Sequence, residues 1–294
     1  MRVLDSIADL RTYRQTLGGS VGVVLTMGYL HQGHISLMQA ARAQNDHVLA
    51  TIFVNPTQFG PNEDLAAYPR DLPRDLALLE AAGVEAVFTP TPAMMYPSNY
   101  QTYITVETVS QDKEGGARPG HFRGVATVVA KLFNLTQANR TYFGQKDAQQ
   151  VAVIRRMVRD LNMSVEVRVC PILREADGLA MSSRNVYLSP EERTAARVIS
   201  RALHEAGEAY ALGERHPQAL RDLVARIIST EPLAALDYVS LSDARTLAEQ
   251  REQTDAPLLL SVAAKVGKPR LLDNVLLPLE LNTLEGATSV LGAE

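Results

Sequence analysis

The chain has 294 residues, of which 46% are hydrophobic and 21% charged, with a formal net charge of -4. At roughly 150 residues per domain this predicts about two domains, and the composition excludes a disordered or fibrous chain. The acidic balance argues against a surface that wraps nucleic acid, and a single cysteine, Cys170, excludes an intramolecular disulfide or a cysteine-cluster metal site.

From the N-terminus, Asp5 and Asp9 interrupt any apolar core, so no secretory signal is expected. The apolar runs are too short to span a membrane. A reducing cytoplasm fits these features. Val21-Gly-Val-Val-Leu-Thr-Met27 reads as a buried strand, followed by a helix from about Gly33 to Ala43. Val48 to Val54 is a second strand, Asp71 to Ala82 a helix closed by Gly83, Val84 to Phe88 a third strand and Thr102 to Val106 a further one. Val125, Val128, Val129 and Leu132 share a helical face. Thr141 to Phe143 is a short strand, Val151, Ile154, Val158 and Leu161 mark a helix, and Val165 to Val169 a strand that leads to Cys170, expected buried. This alternation predicts an α/β fold with a Rossmann-like parallel sheet covered by helices on both faces, and ligands beyond the carboxyl ends of its strands.

The pattern changes near Arg184. Ser189-Pro190-Glu191-Glu192 is a helix start with a capping box, and Leu220, Val224 and Ile227 mark a second helix. Strands are expected at Asp237 to Leu241, Leu258 to Val262 and Arg270 to Leu277. Glu249 to Asp255 reads as a solvated stretch. The expected division is a catalytic domain over 1–175 and a smaller α+β domain over 176–294.

Candidate chemistry sits where strands end. Met27, Gly28, Tyr29, Leu30, His31, Gln32, Gly33 and His34 run from the first strand into a helix N-terminus, a seat for phosphate. His31 and His34, three apart, point to one side and can stabilise charge on a leaving pyrophosphate. A Gly-rich turn with incidental histidines is the alternative, and a metal pair a weaker one for want of a third ligand. Asn55-Pro56-Thr57-Gln58 follows the second strand. Gln58 suits a hydroxy acid, although Asn-Pro turn chemistry alone accounts for the segment. Gly144, Gln145, Lys146 and Asp147 follow another strand. Lys146 can meet phosphates, and Asp147 can cap the helix or take a ribose hydroxyl or Mg²⁺, with Gln150 on the same side. Met181, Ser182, Ser183 and Arg184 can hold a triphosphate or form a plain surface turn. Arg118 to Gly124 is a basic loop, beside an anion or simply solvated.

Together these segments closely resemble the pantothenate synthetase (pantoate–β-alanine ligase) family. Thr26 to His34 resembles its M-G-x-L-H-x-G-H signature, Phe53 to Phe59 its F-V-N-P-x-Q-F segment, continued by Gly60 to Arg70. Arg118 to Asn134, Gly144 to Asp147 and Met181 to Asn185 match in the same order. Departures are Leu25 in place of a usual Pro, Gln145 in place of Glu and Leu173 in place of Val. The resemblance implies ATP-dependent condensation of (R)-pantoate with β-alanine through a pantoyl adenylate, by a homodimer with a lid-like C-terminal domain. It implies catalytic roles for His34, His31, Lys146 and Arg184. ATP would meet Met27 to His34, Gly144 to Asp147, Leu173 and Met181 to Arg184. Gln58 would hold pantoate and β-alanine, and Gln150 pantoate. Mg²⁺ would accompany ATP without a dedicated carboxylate cage. No nucleic-acid or membrane partner is implied. A transferase that stops at adenylylating a phosphate ester, and a non-catalytic nucleotide sensor, are the competing readings.

Overall fold

The computed structural model describes residues 1–61, 63 and 65–293. Positions 62 and 64, within the segment that continues the Phe53–Phe59 match, lie outside the described residues. In chain order the elements are β1 (Arg2–Leu4), α1 (Ile7–Thr16), β2 (Val21–Thr26), α2 (Gln32–Gln44), β3 (His47–Ile52), α3 (Leu72–Ala81), β4 (Ala86–Phe88), α4 (Pro92–Met95), α5 (Glu114–Ala117) and α6 (His121–Thr136). There follow β5 (Arg140–Gly144), α7 (Ala148–Asp160), β6 (Glu166–Cys170), α8 (Pro190–Ala211), α9 (Pro217–Ile228), β7 (Ala234–Asp243), β8 (Leu258–Val266), β9 (Arg270–Leu277) and α10 (Leu284–Val290). The chain forms two compact units. One is Met1–Phe143 with Val153–Arg168; the other is Gly144–Ala152 with Val169–Glu294.

The first unit is built on a six-stranded parallel sheet in the order β1-β4-β3-β2-β5-β6, with helices around it. β2 lies inside the sheet, paired with β3 through Val21↔His47 to Thr26↔Ile52 and with β5 through Gly22↔Arg140. That placement explains its uninterrupted apolar run: Val21, Val23 and Val24 are fully buried, as expected of a parallel strand covered on both faces. Helix α6 buries Phe122, Val125, Val128, Val129, Leu132 and Phe133. Helix α3 starts at Asp71, whose side chain accepts the Arg74 N–H, with Pro at the start of the helix.

One expected element is absent. Thr102 to Val106 forms no strand; the Ile104 N–H instead donates 2.9 Å to the Thr127 hydroxyl on α6, so a side chain takes the place of a neighbouring strand. The N-terminal β1 and α1 and the C-terminal α10 are not among the elements expected from the sequence, although Ser6, which accepts the Asp9 N–H, and the buried Leu10 mark the start of α1. β1 is three residues long, too short for a pattern, and joins the sheet by pairing with β4.

The second unit carries the antiparallel sheet β7-β8-β9. Its core joins Ala196, Ile199, Leu203 and Ala206 of α8, Leu220 and Val224 of α9, and Leu260, Val262 and Leu277 of the sheet. The expected capping box is present: Ser189 Oγ accepts the Glu192 N–H at 3.2 Å, and Glu192 Oε2 accepts the Ser189 N–H at 2.9 Å. Cys170 is buried, as its strand position predicted. The stretch from Glu249 to Asp255 is largely exposed, but its first residue is tied down, since Glu249 pairs with Arg221 at 3.0 Å. Among the described residues, no helix is long and apolar enough to cross a membrane.

Candidate active site

The candidate residues divide between the two units. In the first, β2 ends at Thr26 and the chain turns sharply before α2. Gly28 and Tyr29 are both left-handed, at φ +85° and +51°. Gly takes that conformation freely, whereas Tyr does so at a cost. The turn is held from α3: the Asp75 carboxylate accepts the Tyr29 N–H and the Leu30 N–H, each at 2.7 Å. Leu30 is fully buried and Asp75 only 1% exposed. His31 then caps α2. Its N–H donates to Nδ1 of His34 at 3.3 Å, and the two rings lie 4.0 Å apart at 37°. With Nδ1 accepting, a neutral His34 ring carries its proton on Nε2 and presents a donor there.

Gln58 lies on the short turn Pro56–Gln58 beyond β3, the strand beside β2. Asn55 sets how the Gln58 amide faces. Asn55 Oδ1 accepts from the Thr57 N–H at 3.3 Å and from the Tyr96 hydroxyl at 2.9 Å. Its Nδ2 donates to the Gly124 carbonyl at 3.2 Å and to Gln58 Oε1 at 3.0 Å. With its oxygen occupied, Gln58 turns its amide nitrogen to Met27 Sδ at 3.0 Å. Burial pushes the Tyr96 phenol up to about 12, so it stays a donor. Below the turn, His121 Nδ1 meets the Gln58 carbonyl at 2.8 Å and His121 Nε2 meets Arg118 at 3.1 Å. Arg118 grips Glu63 at 2.6 and 2.7 Å, and this guanidinium holds the Glu63 carboxyl below its ordinary value. The basic loop thus supports the Gln58 turn, and its Arg118 already has a carboxylate.

In the second unit, Gly144 leads into the turn Gln145–Asp147. Gln145 is buried and works as scaffold: Nε2 donates to Asn274 Oδ1 at 3.1 Å and to Asn282 Oδ1 at 2.8 Å. Asn274 Nδ2 returns bonds of 3.0 Å to the Gln145 and Lys146 carbonyls. A Glu at 145 would lack that donor, so this chain's Gln has a use of its own. Lys146 Nζ lies 3.9 Å from the half-exposed Asp147 carboxylate. Gln150 sits half-buried on the first turns of α7.

The Met181–Arg184 segment is an ordered turn. Leu173, exposed, accepts the Met181 N–H through its carbonyl at 3.0 Å. Ser182 Oγ accepts the Arg184 N–H at 3.3 Å. Asn185 Nδ2 donates to Glu175 Oε1 at 2.9 Å and the Ala180 carbonyl at 3.1 Å, and Glu175 is gripped by Arg193 at 2.6 Å. A small cavity is lined by Lys146 and Ser182, one residue from each of the Gly144–Asp147 and Met181–Arg184 segments, together with Asn185 and Asp273. Among the described residues, no group of three or more His, Cys, Asp or Glu is placed to hold a metal ion.

Sequence reasoning missed Asp75, Asn55 as an orienting group, and Tyr96. Asp75 follows an Asp-Leu-Pro helix start, where an acid reads as a response to the helix dipole. Nothing local signals a partner some 45 residues back.

Residues 2–276 match the Pantoate-beta-alanine ligase family. The pantothenate synthetase of Roseiflexus sp. (strain RS-1) is 60% identical over 277 residues, covering 94% of this chain and 99% of its own length. That of Acetivibrio thermocellus is 54% identical over 279 residues, covering 94% and 99%. Pantothenate synthetase from Thermus thermophilus superimposes with a TM-score of 0.88 at 46% identity, covering 94% and 99%. Pantoate-beta-alanine ligase from Francisella tularensis, complexed with beta-gamma ATP and beta-alanine, does so with 0.76 at 34% identity, covering 94% and 97%.

Proposed function

The chain belongs to the pantoate–beta-alanine ligase family, and from that membership we propose how its residues carry out the ATP-dependent condensation of (R)-pantoate with β-alanine. The reaction is read in two steps. A pantoate carboxylate oxygen attacks the α-phosphorus of ATP, and the bond to the β-phosphate oxygen breaks to release pyrophosphate. The β-alanine amine then attacks the carbonyl carbon of pantoyl adenylate, the bond to the AMP oxygen breaks, and the amine loses a proton.

The observation that carries this reading is the ordered His31–His34 pair at the start of α2, together with a Gln58 whose amide donor is fixed by Asn55. Neither step needs a strong protein nucleophile; both need phosphate positioning and charge stabilisation. His34 Nε2 supplies a proton donor to the leaving pyrophosphate, with His31 next to it. The Gln58 donor meets an acceptor oxygen of pantoate and lies next to β-alanine, and Gln150 completes the hold on pantoate. Lys146, Ser182, Ser183 and Arg184 supply cation and hydroxyl donors to the phosphates. Asp147 and Gly144 take the ribose side and Leu173 the adenine. Mg²⁺ would accompany ATP and neutralise charge on its phosphates, and the half-exposed Asp147 carboxylate is a group that could help to hold it. A catalytic domain over 1–175, a lid-like domain over 176–294, a homodimer and a cytoplasmic setting complete the proposal.

The product assay tests it. Purified protein with ATP and Mg²⁺ is expected to form AMP only when both pantoate and β-alanine are present. Adenylylation of a phosphorylated acceptor in their absence points to a transferase. ATP binding without turnover in the full mixture points to a sensor.

A further inference from the structure

In the sequence, the turn that ends β2 offers its backbone donors to phosphate. In the structure, the Tyr29 and Leu30 N–H groups are instead bound by one carboxylate, each oxygen of Asp75 taking one of them at 2.7 Å. These are short, charge-assisted bonds in a buried setting. We propose that Asp75 is the permanent acceptor of these two N–H groups and a positioning residue for the Met27–His34 stretch. The proposal rests on the reading above that this stretch meets ATP.

Four observations converge on it. The turn adopts a conformation that Tyr29 does not choose unaided, with φ at +51° next to Gly28 at +85°. Non-glycine residues persist there only where surroundings over-determine them. Asp75 supplies that determination: it is 1% exposed and fixed on a helix whose own N-cap is Asp71, so its carboxylate is not needed to cap α3. The fit is tight from the other side as well, because a Cβ at position 28 would come within 3.0 Å of Asp75 Oδ2 and of Ile52 Cγ2. Arg74, at 3.7 Å from Asp75 and with its guanidinium 5.3 Å from the Tyr29 ring centre, closes over the same turn.

A buried anion at this point also excludes phosphate oxygens from the Tyr29 and Leu30 N–H groups, since like charges in a low-dielectric site repel strongly. The turn therefore serves the nucleotide by direction. It delivers His31 to its capping position and His34 Nε2 to the reacting side, while the phosphates take their donors elsewhere.

Two measurements test this. In the unmodified protein, amide hydrogen exchange is expected to find Tyr29 and Leu30 protected without nucleotide and unaltered by saturating ATP. Fast exchange that slows only when ATP is added overturns the proposal, and this holds whether or not any variant folds. In Asp75→Asn, one acceptor oxygen remains and an amide donor faces the other N–H. Pyrophosphate release with ATP and pantoate is expected to lose about 10- to 100-fold in kcat/KM for ATP. Aminolysis of supplied pantoyl adenylate by β-alanine is expected to be unchanged, a split that general loosening does not produce. Unchanged ATP kinetics in folded Asp75→Asn, with His34→Ala impaired, overturns the positioning role alone. Unchanged kinetics in both variants removes the nucleotide role of the whole stretch. Absence of pyrophosphate release from the unmodified protein removes the activity reading, and the exchange result still decides the Asp75 bonds.

Discussion

His34 shows how a side chain acquires a chemical role from its backbone setting. Its Nδ1 is taken by the His31 N–H, which leaves Nε2 as the donor, so His34→Ala is expected to lower the adenylation rate by roughly 10²- to 10⁴-fold. Single-turnover formation of pantoyl adenylate measures this, and a near-normal rate contradicts the role. Tyr96 acts at one remove. Its hydroxyl donates to Asn55 Oδ1, the group that aims Gln58. Tyr96→Phe removes that bond while the Thr57 N–H still holds Asn55, so a rise in KM for pantoate of only a few-fold is expected, on the order of a single neutral hydrogen bond. Steady-state kinetics with pantoate and ATP varied in turn reads it, and a larger effect on KM for ATP contradicts it. The position of the histidines and Gln58 after strand ends was legible in the sequence, because each follows an apolar strand run. Asp75 and Tyr96 were not, because their partners lie about 45 and 41 residues away along the chain.

Helix α6 and the Pro56–Gln58 turn meet backbone to backbone. A Cβ at Gly124 would lie 2.3 Å from the Thr57 carbonyl oxygen and 2.7 Å from Gln58 Cα. Gly124→Ala must therefore push the turn off the helix. The expected result is a loss of about 1–3 kcal/mol in stability together with a raised KM for pantoate, read by denaturant unfolding and steady-state kinetics. The start of α8 offers a contrast away from the chemistry. Ser189→Ala removes the cap from Glu192 N–H and is expected to cost about 1 kcal/mol without changing KM for any substrate. That cap was readable from four consecutive residues. The strands of the antiparallel sheet were readable in part: β9 to the residue, and β7 and β8 over Asp237 to Leu241 and Leu258 to Val262 only. Thr102–Val106 misled: its alternation suits a strand, and only the Thr127 hydroxyl shows where its backbone bonds go.

The parallel sheet followed from alternation of strand and helix along the first half, and the separate α+β domain from the loss of that alternation; the antiparallel pairing of its strands was seen only in the structure. The grouping of Gly144–Ala152 with Val169–Glu294 did not follow from the pattern, since it depends on contacts such as Gln145 with Asn274 and Asn282, which are far apart in sequence. Each unit carries a carboxylate held below its ordinary value of 4.5 by an arginine, Glu63 by Arg118 and Glu175 by Arg193. A depressed carboxyl adds stability above its unfolded value and loses it as pH falls through the folded one. Stability is therefore expected to decline below about pH 4.5, and Arg193→Gln is expected to move the acid-unfolding midpoint upward, as circular dichroism against pH would show; an unmoved midpoint contradicts it. The account as a whole stands on activation of pantoate at the α-phosphorus. Pantoate labelled with ¹⁸O in both carboxylate oxygens, turned over with ATP and β-alanine, tests this directly. The account predicts one ¹⁸O in the phosphate of the AMP formed, and AMP free of label, or label in inorganic phosphate with ADP as product, would contradict it.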